Sequence, residues 1–156
     1  MPKISVVGAG NVGASAALYA AEKELGDVTL IDIVEGVAKG KGLDLLQAGP
    51  VQKYDSFVQG SGDIRDVKGS DLIIVTAGLP RKPGMSRLDL LKANADIIRG
   101  VAEAIRENAK NAFVIMVTNP LDVMTYMMYR ITGFPRERVM GMAGVLDSAR
   151  FRAFLA

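Results

Sequence analysis

The chain has 156 residues, 49% of them hydrophobic and 23% charged, with a formal net charge of +2, enough for one ordinary domain with a real apolar core. A near-neutral balance without a basic stripe or interleaved aromatics argues against a nucleic-acid partner, and apolar runs such as 112–117 are far too short to span a bilayer. The chain has no cysteine, so disulfides and thiolate metal sites are excluded and a reducing cytoplasm is the expected compartment, with no metal centre and no secretion signal before the first strand.

Strand-like and helix-like segments alternate along the chain, as they do in a parallel sheet covered by helices on both faces. Residues 3–7 read as a first strand and 11–23 as an alanine-rich helix. A second strand is expected over 28–32. It is followed by a helix over 35–46, weakened by Gly36, Gly40 and Gly42 but carrying Leu43, Leu45 and Leu46 toward a core. A short third strand falls at 57–60 and a buried, β-branched fourth at 71–76. Residues 78–85 form a loop marked by Pro80, Pro83 and Gly84. Over 86–108, Leu90, Leu91, Ile97, Ile98, Val101 and Ile105 recur at a helical rhythm. Then come a fifth strand over 113–117, a helix over 121–132, a sixth strand over 139–142 and a last helix over 147–155. Met124, Met127 and Met128 sit at helical spacing and read as core filler. Six strands so spaced make two mononucleotide-binding halves. The expected fold is α/β: a Rossmann doubly wound, parallel six-stranded sheet in the order 3-2-1-4-5-6. Residues 1–143 would form it, and 144–156 would begin a second unit.

The junction after the first strand carries the clearest chemistry. Gly8-Ala9-Gly10-Asn11-Val12-Gly13 is G-x-G-x-x-G between a strand and a helix. The first glycine allows a tight turn, the second lets the backbone approach a pyrophosphate, and the third lets helix and strand pack closely. The helix N-terminus adds free N–H groups and a partial positive charge. Asp32 lies 19 positions beyond Gly13, where a carboxylate can accept from ribose hydroxyls and would repel a 2′-phosphate. The expected cofactor is NAD rather than NADP.

Ligands of such sheets bind beyond the carboxyl ends of the strands, so the loops there are the places to search. Arg81 and Arg87 flank a glycine- and proline-punctuated loop after the fourth strand. They can serve as forks for carboxylates or simply be a solvated basic loop. Val117-Thr118-Asn119-Pro120 follows the fifth strand, where Asn119 can hold a carbonyl or carboxamide or merely form a turn. Asp147 and Arg150 lie three apart, which also fits a helix N-cap with an ion pair on one face. Tyr19-Ala20-Ala21-Glu22-Lys23 spells the Tyr-x-x-x-Lys of short-chain dehydrogenases, but it stands in the helix after the phosphate loop, where it cannot face a nicotinamide.

Together these segments resemble the malate and lactate dehydrogenase family across essentially the whole chain, most tellingly in Arg81-Lys82-Pro83-Gly84-Met85-Ser86-Arg87. The resemblance favours the malate-specific branch, because lactate-specific members carry a glutamine where Arg81 stands. It implies an NAD-dependent oxidoreductase that interconverts (S)-malate and oxaloacetate, a tricarboxylic acid cycle reaction. Arg81 would then bind the distal carboxylate of this small dicarboxylate, and Arg87 would polarise the reacting carbonyl as a loop closes. Arg150 would clamp the carboxylate beside the reacting carbon. Asn119 would contact substrate oxygen and nicotinamide, with Asn94 and the backbone of Val117 and Thr118 also touching the cofactor. Asp147 would orient a catalytic histidine. The chain has no histidine, and in the family that residue falls beyond Ala156. The resemblance therefore implies the cofactor half of a homo-oligomeric enzyme (dimer or tetramer), inactive by itself. Two other readings are a stand-alone NAD-binding module without catalysis and a dehydrogenase of another 2-hydroxy acid such as lactate.

Overall fold

The computed structural model describes residues 1–80 and 83–156. Strand β1 (Lys3–Val7) lies at the centre of the sheet, between β2 (Asp27–Ile31) and β4 (Leu72–Val75). β3 (Val58–Ser61) extends one side, and β5 (Phe113–Met116) and β6 (Val139–Gly141) the other. All pairings are parallel and the order is β3-β2-β1-β4-β5-β6, as expected from the alternation of elements.

The period of two along β1 and β4 divides the apolar side chains between two cores. Ile4 and Val6 join the small side chains of α1 (Asn11–Glu22) and of α2 (Glu35–Gln52). Val7, Ile73 and Val75 meet Ile98, Val101 and Ile105 of α3 (Arg87–Asn108) and Met124 and Met128 of α4 (Leu121–Thr132) on the opposite face. Each fully buried Ile or Met there contributes about 1.5–3 kcal/mol of transfer free energy. Met124 and Met128 have no exposed surface and Met127 packs partly buried against the same core, so the three are core filler as read. Ser5 is buried among these apolar groups, but its hydroxyl is paired with that of Ser70 at 2.7 Å.

Most strand ends fall within a residue of the sequence reading, and a short 3-10 turn over Arg136–Arg138 precedes β6; larger departures occur elsewhere. α2 continues past residue 46 to Gln52, with Pro50 inside its last turns. Tyr54 anchors that extension: its hydroxyl donates to the Leu45 carbonyl and its ring packs on Gly49. The helix then closes at Lys53, whose φ of 64° is left-handed and whose N–H returns to Gly49 O at 2.7 Å. A 3-10 turn over Ile64–Val67, capped by Asp63, was not anticipated; its two apolar anchors, Ile64 and Val67, are too short a signal to detect. The last helix, α5, runs over Gly144–Leu155 and is preceded by Ala143, so Asp147 lies inside its first turns and is not an N-cap. Asp147 does pair with Arg150, at 3.7 Å, as an exposed i,i+3 pair worth well under about 1 kcal/mol.

Candidate cofactor and substrate site

The glycine motif lies at the carboxyl end of β1, where tight backbone contact dictates its composition. Gly8 has φ +106°, and a Cβ there would lie 2.7 Å from both Ala77 N and Thr76 Oγ1. A Cβ on Gly13 would lie 1.8 Å from Gly8 O, so α1 can start this close to β1 only with hydrogen at that position. Gly10 differs: its backbone is extended (φ −66°, ψ −170°) and a Cβ would meet nothing within 4 Å. The chain itself sets no steric demand for glycine at Gly10. The open space beside that backbone fits the close approach of a pyrophosphate, the role read from the motif. Gly8 and Ala9 are buried, whereas Gly10, Asn11 and Val12 are exposed at the start of α1, where the first helical N–H groups have no intrahelical partner.

Asp32 follows β2 directly, and its N–H donates to Ser61 O at 3.1 Å. One carboxylate oxygen accepts from Ala9 N–H at 2.7 Å and the other from Val34 N–H at 2.9 Å. The acid thus ties the glycine loop to β2 and keeps unused lone pairs for a diol, since a carboxylate offers about four acceptor sites.

The second half of the cleft is built from the ends of β4 and β5. Thr118, 5% exposed, has its hydroxyl 2.7 Å from the Ala77 carbonyl, to which it donates. Asn94 of α3 is 1% exposed, and its amide is spent inside the protein. Its Oδ1 accepts from Leu79 N–H at 2.7 Å, and its Nδ2 donates to Asn119 O at 2.7 Å and Leu79 O at 3.3 Å. Asn94, read from the resemblance as touching the cofactor, therefore holds the two loops that flank the cleft.

Arg87 opens α3, just after Ser86. The Ser86 hydroxyl accepts from Asp89 N–H, and the Asp89 carboxylate accepts from Ser86 N–H, a reciprocal capping box. The Ser86 hydroxyl also donates to the Asp89 carboxylate at 2.6 Å, and this bond first, with that from the Ser86 N–H second, holds the Asp89 carboxyl below its usual range. Arg87 and Asn119 line one hollow of about 580 Å³ together with Leu88, Leu90, Leu91 and Pro120. A cation and an amide facing apolar walls suit a small anion next to a ring. Asp147 and Arg150 do not line that hollow. They stand on α5, which has no buried residue. Arg81 lies outside the described residues. The sequence reading missed Thr76 and Lys41, which also hold the glycine loop: the Thr76 hydroxyl lies 3.1 Å from Gly8 O, and Lys41 Nζ donates to Ala9 O at 2.6 Å. No spacing rule marks either one, because both reach the loop only through the folded sheet.

A family model described as lactate/malate dehydrogenase, NAD binding domain, matches residues 2–141. A malate dehydrogenase of Roseiflexus sp. (strain RS-1) is 57% identical over 155 residues, covering 99% of this chain and 50% of its own length. The apo malate dehydrogenase of Picrophilus torridus superposes with a TM-score of 0.95 at 48% identity, over 99% of this chain and 50% of that one. A lactate dehydrogenase of Cryptosporidium parvum, solved with lactic acid and nicotinamide adenine dinucleotide, gives a TM-score of 0.93 at 44% identity, over 99% and 49%. The chain spans about half the length of the relatives it matches. The family match, the sheet order and the glycine cradle agree: the chain belongs to the lactate/malate dehydrogenase family and is built as its NAD-binding domain.

Proposed function

We propose that this chain is the cofactor-binding part of an NAD-dependent dehydrogenase that interconverts (S)-malate and oxaloacetate. The observation that carries the proposal is the conjunction of a glycine cradle open at Gly10 with Asp32 at its rim, in a chain 57% identical to a malate dehydrogenase. The fold does not separate malate from lactate, because enzymes of both names superpose almost equally well. The choice rests instead on charge. A second substrate carboxylate calls for a second guanidinium, and by the family resemblance Arg81 is the residue that would supply it.

In this reading Gly8, Gly10 and Gly13 with the N-terminus of α1 receive the pyrophosphate, and Asp32 receives the adenosine ribose. Val117, Thr118 and Asn119 border the nicotinamide end, where bound NAD supplies a hydride acceptor. Arg87 and Asn119 face the substrate oxygen, Arg81 takes the distal carboxylate, and Arg150 takes the carboxylate beside the reacting carbon. Oxidising a hydroxy acid also releases the hydroxyl proton, which needs a base that titrates near neutrality. The chain has no histidine, and the role of Asp147 in this reading, orienting a base supplied from elsewhere, follows from the family resemblance. Residues 1–143 then form the cofactor domain and 144–156 the start of a catalytic one, a division supported by the lack of any buried residue in α5. A cytoplasmic homo-oligomer completes the proposal.

The test uses the product of the complete gene, assayed with NADH and either oxaloacetate or pyruvate. Oxaloacetate should be strongly preferred, and Arg81→Gln should shift preference toward pyruvate. Equal relative kcat/KM for the two acids in wild type and variant would remove Arg81 from its role. The 156-residue chain alone should bind NADH without turning over oxaloacetate, and steady NADH oxidation by it would overturn the need for an external base.

A further inference from the structure

The glycine loop is held by side chains from three separate segments, just after β2, just after β4 and within α2, and one of them is a cation that the G-x-G-x-x-G…Asp pattern does not contain. Lys41 sits in α2, and its Nζ donates to the Ala9 carbonyl at 2.6 Å. Its reach is set by direct backbone packing of α2 on β3. A Cβ on Gly42 would lie 2.4 Å from Gly60 N, and one on Gly60 would lie 1.9 Å from Ala38 O. Gly42, one of the glycines that weaken α2 as an isolated helix, and Gly60 of β3 therefore let Lys41 come down beside the loop.

The consequence follows from peptide geometry. A planar trans peptide points its carbonyl and its following N–H in opposite directions. The peptide from Gly8 to Ala9 is fixed at both ends, its N–H by Asp32 and its carbonyl by the Thr76 hydroxyl. The next peptide, from Ala9 to Gly10, has its carbonyl held by Lys41, which turns the Gly10 N–H away from α2. Gly10 is the first exposed residue of the loop, and the space beside it is open. If that peptide flipped, it would present a carbonyl oxygen where an anion needs a donor. Ala9 is 1% exposed, so without Lys41 its carbonyl would lose a charge-assisted partner in a nearly dry setting.

We propose that Lys41 is a positioning residue for dinucleotide binding: by holding the Ala9 carbonyl it keeps the Gly10 N–H turned toward the pyrophosphate, without itself touching the ligand. This rests on the NAD-binding reading above and deepens it. The experiment measures Kd for NADH, ADP and adenosine with wild type, Lys41→Met and Lys41→Arg, together with circular dichroism and Tm. ADP and NADH carry the pyrophosphate and adenosine does not, so Lys41→Met should weaken the first two about tenfold and leave adenosine within about twofold. Lys41→Arg keeps a donor and should recover most of the loss. Equal losses for ADP and adenosine, or no loss at all, would overturn the proposal. So would an ADP defect that disappears in about 1 M salt, because screening removes a through-space charge but not the orientation of a peptide. Should Lys41→Met fail to fold, Lys41→Gln is read by the same ADP-to-adenosine ratio. Wild type that binds none of the three ligands would refute the dinucleotide reading itself, an outcome distinct from failure of the role given to Lys41.

Discussion

Alanine at Gly10 and at Gly13 is one chemical change with two opposite expected outcomes. At Gly13 the new methyl would lie 1.8 Å from Gly8 O and 2.7 Å from Thr76 Oγ1. Ordinary contact begins near 3.4 Å, so α1 must retreat from β1 by roughly 1.6 Å, enough to forfeit much of the local dispersion energy. The retreat would unpack Ala17, Ala20 and Ala21, all at most 5% exposed on the sheet. We expect a cost of about 3 kcal/mol or more, which lowers Tm by about 10 °C in a domain of this size. At Gly10 the methyl meets nothing and the backbone angles are ordinary for alanine. The small loss at an N-cap position is offset by reduced freedom of the unfolded chain, leaving stability within about 0.5 kcal/mol of wild type. NADH affinity should nevertheless fall at least about tenfold, because the methyl occupies the space reserved for the pyrophosphate. Thermal melts and NADH fluorescence titrations of the two variants, side by side, decide the matter. A Gly10→Ala protein that binds NADH like wild type, or a Gly13→Ala protein with unchanged Tm, would refute the division of labour within the motif.

Two further substitutions address the second half of the cleft and the start of α3. Asn94→Ala removes the three hydrogen bonds that join the loops after β4 and β5, and urea unfolding should show a loss of about 2–3 kcal/mol; a loss below about 1 kcal/mol would mean that water replaces the amide. The Asp89 carboxyl is held below its usual 3.8 by the Ser86 hydroxyl first and the Ser86 N–H second. A lowered folded-state value means that the stabilisation is present above the unfolded carboxyl range and is lost as pH falls through the folded value. The Tm gap between wild type and Asp89→Asn should therefore hold steady near neutrality and close in acid, and a gap independent of pH would show that ionisation of Asp89 contributes nothing.

The sequence alone determined those features whose physical cause is local. Alternating apolar runs specified six strands, and helical spacing located Leu121–Thr132 at the bounds observed. The strand-glycine-helix junction with Asp32 declared its ligand class, because a tight turn, a close helix and a ribose acceptor each demand a residue type at a short, set spacing. Tertiary structure decided whatever depends on contacts between distant segments. The tie that the buried Asn94 amide makes between two loops has no local sign, since the folded chain alone brings residues 79 and 119 to the same amide. α2 ran on to Gln52 because Tyr54 anchors its end, a gain that its propensity does not contain. The glycines of α2 looked like a weakness in a helix, yet Gly42 is required where α2 lies on the backbone of β3. Lys41 had no meaning as a lone lysine until that packing brought it to the Ala9 carbonyl. Local patterns encode elements and motifs, whereas the pairing of a buried carbonyl with a distant cation exists only once the sheet has brought them together.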